Sequence, residues 1–168
     1  MDFILGESND EIRIDTAEEY RRIALTLAEQ THNSIDIFSQ DLEAEIFDNR
    51  NFAECIFTLA KKHPTTAIRI LVQDSAKSVQ NGHRIIRLAQ QLTSSVFIHN
   101  PSDKYKGEKS AFMVVDKIGF INRTVATTKT YKATASFKAP RPAMKLVDYF
   151  NEIWEHSTPD TQTRRIYV

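Results

Sequence analysis

The chain has 168 residues, 41% of them apolar and 26% charged, which fits one globular domain and excludes wholesale disorder. Its 22 basic and 22 acidic residues cancel, so net charge gives no argument for a nucleic-acid partner. No run approaches the roughly 20 apolar residues of a membrane span, and the opening MDFILGESNDE lacks the basic flank and apolar core of a secretion signal, so a cytoplasmic location is expected.

In chain order, Asp15-Thr16-Ala17-Glu18-Glu19 reads as a helix start, with Thr16 as cap and Glu19 completing a capping box. Ile23, Leu25, Leu27 and Ala28 carry that helix to Thr31-His32-Asn33. Ser34 to Ser39 alternates polar and apolar residues and reads as a strand. Asn51 to Lys62 is a helix, stopped by His63-Pro64 because proline disfavours helical geometry in the residue before it. Ala67 to Val72 is an almost continuous apolar run, the pattern of a central strand. Gly82 and His83 precede a helix with Ile85, Ile86, Leu88, Ala89 and Leu92 on one side. Ser95 to His99 is a third strand, and Asn100 to Glu108 a loop. Ala111–Val115 and Gly119–Ile121 are two strands joined by a turn at Asp116-Lys117. Ala143 to His156 is an amphipathic helix with Phe150 and Trp154 on its packing side.

This order predicts one α/β domain at residues 16–156, a mixed, mostly parallel sheet with helices on both faces, with residues 1–15 and 157–168 as tails. Charge is unevenly spread. Residues 1–50 hold 13 acids against 4 bases, whereas residues 99–145 hold 10 bases against 3 acids. The basic stretch is either an anion-binding face or one half of an internal charge balance.

Cys55 is the only cysteine; it falls on the apolar face of its helix and reads as a small hydrophobe, and no disulfide or zinc cluster can form. There is no Gly-x-Gly-x-x-Gly, phosphate loop or His-Glu-x-x-His. No cofactor or metal is expected. Ligands of open α/β sheets bind beyond the carboxyl ends of the strands. That rule selects Ser39, Gln40 and Asp41, then Gln73 and Asp74, then His99, with His83 close enough to reach the same rim. Turn chemistry is the ordinary reading of Asp41 and Asp74, and a local hydrogen bond at the helix start that of His83. Lys104, Lys106, Lys109 and Arg123 should converge there, because a hairpin brings the start of its first strand beside the end of its second.

The element order, together with Ile35 to Leu42, Ile68 to Val72, Lys109 to Asp116 and Asp148 to Trp154, resembles one half of a phospholipase D-like fold. The likeness is nearest to a bacterial branch whose members are sometimes attached to an acetyltransferase domain. Lys109-Ser110-Ala111-Phe112-Met113-Val114-Val115-Asp116 stands where that family carries His-x-Lys-x4-Asp. Lys109 replaces the nucleophilic histidine, Ala111 replaces the lysine that neutralises phosphate, and only Asp116 is kept. The family's Gly-Ser-x-Asn is reduced to Phe120-Ile121-Asn122-Arg123. A protonated lysine is no substitute nucleophile near neutral pH.

The resemblance therefore implies a non-catalytic binding or interaction module. Its expected ligand is a phosphate-bearing or other anionic group, nucleic acid included, or a protein partner. The expected contacts are His83, Lys109, Arg123, Asp41, Asp74, Lys104 and Lys106. Two alternatives stand beside it. One is a divergent phosphodiesterase or nuclease using His83 or His99, with a site shared across a homodimer, since single-half members commonly pair two-fold. The other is a purely structural interaction subunit.

Overall fold

The computed structural model describes residues 2–62 and 64–163; His63, read above as a helix stop with Pro64, lies outside the described residues. The elements are β1 (Ile12–Ile14), α1 (Ala17–Glu29), β2 (Ser34–Ser39), α2 (Ala44–Phe47), α3 (Arg50–Lys62), β3 (Ala67–Val72), α4 (Ala76–Gln80), α5 (Arg84–Gln91) and β4 (Val96–Asn100). A 3-10 turn at Asp103–Tyr105 follows, then β5 (Ala111–Val115), β6 (Gly119–Arg123), β7 (Ala133–Ser136), α6 (Pro140–Glu155) and β8 (Thr158–Pro159).

The strands form one mixed sheet in the order β1-β7-β6-β5-β2-β3-β4-β8. The pairs β2–β3 and β3–β4 are parallel. The other five pairs are antiparallel. The mixed sheet with helices on both faces is as expected, but its parallel part is confined to the centre. The balance moves because β5, β6 and β7 form a meander and the short strands β1 and β8 add an antiparallel edge at each end. Both edge strands fall in the stretches read as tails. Ile14 is buried, and Phe3 stacks on Phe137 at 5.3 Å between ring centroids, so residues before α1 help to close the core.

The period of two sorts the strand side chains between two apolar layers. Ile35 and Ile37 of β2, Ile68 and Ile70 of β3, and Met113 and Val115 of β5 face α1, α3 and α5. Phe38, Leu71, Phe112 and Val114 face α6, where Val147, Phe150 and Ile153 meet them. Asp36 shares that second face. It accepts from Arg69 Nε at 2.8 Å, while Arg69 Nη2 donates to Asn151 Oδ1 of α6 at 2.8 Å and the guanidinium lies over the Phe150 and Trp154 rings. A buried carboxylate is tolerated there because its partner is both charged and hydrogen-bonded.

Local signals behave as their chemistry requires. Thr16 Oγ1 accepts from Glu19 N at 3.1 Å, and Glu19 reaches back to Asp15 N rather than to Thr16 N. α6 begins at Pro140, three residues before the expected start; Pro140 and Pro142 fit because first-turn N–H groups have no intrahelical partner. The β5–β6 turn spans residues 116–118 and places Asp116 and Lys117 at φ of 50° and 58°, the left-handed pair of a type I′ turn, closed by Ile118 N donating to Val115 O at 3.1 Å. Asp116 holds this conformation by accepting from the backbone N–H groups of His32, Asn33 and Ser34 at 2.8, 2.7 and 3.0 Å. The one residue retained from the His-x-Lys-x4-Asp pattern thus clamps the hairpin to the beginning of β2, at the end of the sheet remote from the rim. Cys55 is half-buried, and burial pushes its thiol up to about 11, which keeps it protonated and unreactive.

Candidate functional site

The carboxyl ends of β2 and β3 carry the side chains that the sheet rule selects, and most of them are bonded to the protein's own loops. Gln40 Nε2 donates to the carbonyls of Glu108 and Ser110 at 2.9 and 2.8 Å. Gln73 Nε2 donates to the Tyr105 carbonyl at 2.8 Å. Asn100 Nδ2 ties the end of β4 to the Val72 carbonyl at 2.9 Å. Two phenols fasten the same 101–110 loop to α6: Tyr105 donates to Glu152 Oε2 at 2.9 Å, and Tyr149 donates to Glu108. The loop is therefore drawn down over the strand ends.

Arg123 closes the neighbouring part. In β6 it shares a face with Ile121, and it lies in register opposite Ala111. Directly opposed residues of an antiparallel pair project to the same side. The Arg123 side chain therefore rises beside Ala111, where the resemblance places the phosphate-neutralising lysine. It is only 2% exposed. Its Nη1 donates to Glu43 Oε2 at 3.3 Å, Nη2 to the carbonyls of Thr128 and Thr130 at 2.8 and 2.7 Å, and Nε to Thr130 O at 3.1 Å. The Tyr131 ring covers the guanidinium at 4.1 Å. Glu43 in turn accepts from Ser39 Oγ at 2.6 Å, and that oxygen accepts from Leu42 N at 2.8 Å. Burial raises the Glu43 carboxyl, against the lowering hydrogen bond from Ser39 and the charge of Arg123. The same burial, with Glu43 and Glu45 nearby, pushes Tyr131 up to about 12. A protein carboxylate thus occupies the cation that a substrate phosphate would need.

His83 and Arg123, both expected to face a ligand, are buried with their polar atoms engaged by the protein itself. His83 caps α5: Nδ1 accepts from Ile85 N at 3.1 Å, which leaves the proton on Nε2 to donate to Leu42 O at 3.1 Å. Burial lowers its pKa and keeps the ring neutral. Asp41 and Asp74 are exposed at the rim as turn residues. The Asp41 carbonyl accepts from Ser78 Oγ, and Asp74 Oδ1 accepts from Ala76 N at 3.0 Å. Lys104, Lys106 and Lys109 are exposed on the outside of the 101–110 loop, and Lys106 pairs with Asp103 at 2.9 Å. Of the four bases expected to converge, Lys104, Lys106 and Lys109 are exposed, whereas Arg123 is buried opposite Ala111.

The remaining described histidines stand elsewhere. His32 meets Lys62 near the start of β2, and His156 caps the end of α6. His99 stacks on Trp154 at 3.9 Å with Nδ1 bonded to Ser157 Oγ at 2.8 Å. A recess of about 270 Å³ beside the Arg123–Glu43 pair is lined by Asp41, Glu43, Glu45 and Asp48 against one cation, Lys77. Its charge repels phosphate. Glu43 and the tyrosines that complete this arrangement were not singled out by the sequence reading. Arg123 did carry a signal, because the alternation along β6 puts it on the side of Ile121 and hence inward.

The architecture is a phospholipase D-like fold. Nuc from Salmonella typhimurium, a phospholipase D family member, superposes with a TM-score of 0.64 at 12% identity, over 90% of this chain and 99% of that one. NucT from Helicobacter pylori does so with a TM-score of 0.64 at 10% identity, over the same shares. TrmBL2, an archaeal chromatin protein with a novel mode of DNA binding, gives 0.64 at 14% identity over 89% of this chain, which spans only 54% of the TrmBL2 chain. At these identities the likeness is one of fold. By sequence the chain belongs to the domain of unknown function DUF7931, whose pattern covers residues 16–166. No curated protein matches it.

Two outcomes follow from the buried groups. Replacing Arg123 with Met should lower unfolding stability by about 3–5 kcal/mol in chemical denaturation, because Glu43 is left buried without its cation. Adding Glu43→Gln should restore most of that loss; an undiminished loss in the double variant would show that Arg123 acts by packing alone. His83 is held neutral in the fold but takes a proton near 6.5, the ordinary imidazole value, when unfolded, so stability should fall as pH drops below about 6.5. That slope should shrink by up to one proton's worth in His83→Gln, and an unchanged slope would contradict a neutral buried imidazole.

Proposed function

We propose that the chain is a non-catalytic phospholipase D-like binding module that engages a phosphate-bearing polyanion through the outer surface of the 101–110 loop. Lys104, Lys106 and Lys109 are the contacting cations. The observation that carries this reading is the fate of the phosphate seat: Ala111 replaces the lysine, and the neighbouring Arg123 is neutralised by Glu43. Hydrolysis needs a nucleophile and a free cation at one phosphorus. At the nucleophile's position stands Lys109, exposed and free to neutralise phosphate from outside. Exposed lysines on a loop pinned by Gln40, Gln73 and Tyr149 give a fixed cationic strip at no ordering cost to the loop. A polyanion rather than a single phosphate fits a strip of separated point charges. TrmBL2, of which this chain spans 54%, is a DNA-binding protein, which favours the same choice of ligand class.

Fluorescence anisotropy with a labelled single-stranded oligonucleotide tests this. Binding should be detectable at low salt and weaken as salt rises. Lys104→Ala/Lys109→Ala should weaken it at least tenfold and flatten the log–log salt slope by about 1.4, as expected for two lost phosphate contacts. The wild type should not turn over bis(p-nitrophenyl) phosphate. Absence of binding at low salt would transfer the role to a protein partner, and turnover that is lost in His99→Ala would restore the phosphodiesterase alternative.

A further inference from the structure

A second recess lies on the part of the sheet face that α6 leaves open. The apolar cluster beneath α6 takes side chains from β2, β3, β5 and β6 and, among the described residues, none from β7. Asn122 of β6 stands opposite Phe112 on one side and opposite Thr134 of β7 on the other. Directly opposed residues project to the same side, so Asn122 and Thr134 share the α6 face with Phe112. There they line a recess of about 540 Å³ with an apolar wall of Phe120, Ala139 and Leu146. Both are half-buried, and neither side chain is hydrogen-bonded to another described residue.

Its chemistry differs from that of the acidic recess beside Glu43. The charged groups in its lining are one cation, Lys145, and one carboxylate, Glu11, so a neutral group suits it better than an ion of either sign. An asparagine amide offers a donor and an acceptor side by side, which matches the edge of a nucleobase, adenine N6 and N7 above all. Thr134 adds a hydroxyl, and the apolar wall suits the flat ring. Only an unpaired base can be splayed out to enter such a recess. The place is right as well. Lys145 precedes Tyr149 by four residues in α6, on the same side of the helix and about 6 Å away along its axis. Tyr149 is bonded to Glu108 of the 101–110 loop, so the recess borders the loop that bears Lys104, Lys106 and Lys109. We infer that this recess receives an unpaired base of a strand whose phosphates lie along those lysines, with Asn122 reading the base edge. The inference rests on the polyanion reading above and narrows its ligand to single-stranded nucleic acid.

Fluorescence anisotropy of the full chain with a labelled oligodeoxyadenylate, and with an abasic strand of the same length and phosphate count, separates the two readings. The oligodeoxyadenylate should bind at least tenfold more tightly than the abasic strand. Asn122→Ala should remove most of that difference and leave abasic binding unchanged, whereas Lys104→Ala/Lys109→Ala should weaken both strands alike. Equal binding of the two strands, or an Asn122→Ala loss shared by both, overturns the base recess and leaves the polyanion reading standing. No binding of either strand at low salt overturns both. Should Asn122→Ala fail to fold, the side-chain amide resonances of Asn122 in the wild type decide. They move with the oligodeoxyadenylate and not with the abasic strand if the inference holds, and respond to both alike or to neither if it does not.

Discussion

A guanidinium that is almost wholly buried must have its charge and its donors answered inside the protein, and the answer Arg123 receives governs what the rim of this sheet can do. Glu43 supplies the charge, Thr128 and Thr130 supply carbonyls, and Tyr131 supplies a ring face. These partners come from two places in the chain, the segment after β2 and the segment between β6 and β7. One side chain therefore fixes two loops against the strand ends. It also consumes the positive charge that lies nearest to the place where phosphate sits in the fold family that this chain resembles.

The same logic extends to the neutral groups. Gln40 and Gln73 stand where a ligand would meet an open sheet, yet their amides are used to hold the 101–110 loop. Once amides and guanidinium are committed, the carboxylates of Asp41, Glu43, Glu45 and Asp48 give the remaining recess a negative lining. On the proposed reading, an anion approaching the sheet is turned away from this recess and meets the cations of the outer loop. The absence of a His-x-Lys pair at Lys109 and Ala111 then goes together with a rim whose polar groups are engaged by internal partners.

How much of this was legible in the sequence depends on whether a signal is local. β2 and β3 were bounded correctly because alternation over six residues and an unbroken apolar run are strong short-range patterns. The hairpin turn was found from Asp116-Lys117. β1 and β8, of three and two residues, are too short to show a period, and Ala133–Ser136 of β7 has a single β-branched residue, Thr134, and no aromatic one to mark a strand. Missing them made the sheet look more parallel than it is. At the rim, the rule for open sheets placed Gln40, Asp41, Gln73 and Asp74 correctly at strand ends. It could not say whether each side chain faces water or a loop, because that depends on where residues 101–110 and 124–132 return in space. His83 resolved to its ordinary reading as a helix cap. The charge of Arg123 suggests the surface, but its alternation with Ile121 along β6 turns it inward.

On the proposed reading, anions meet this protein on the outer loop and not in the crevice. Nitrogen-edited NMR during titration of the full chain with a short single-stranded oligonucleotide tests it directly. Backbone amides of residues 104–110 should move while the Arg123 Nε–H resonance stays in place, slow to exchange and held by Thr130. A ligand-dependent shift of the Arg123 Nε–H, with the 101–110 amides unmoved, would contradict it by showing that the crevice opens and that Arg123 exchanges Glu43 for phosphate.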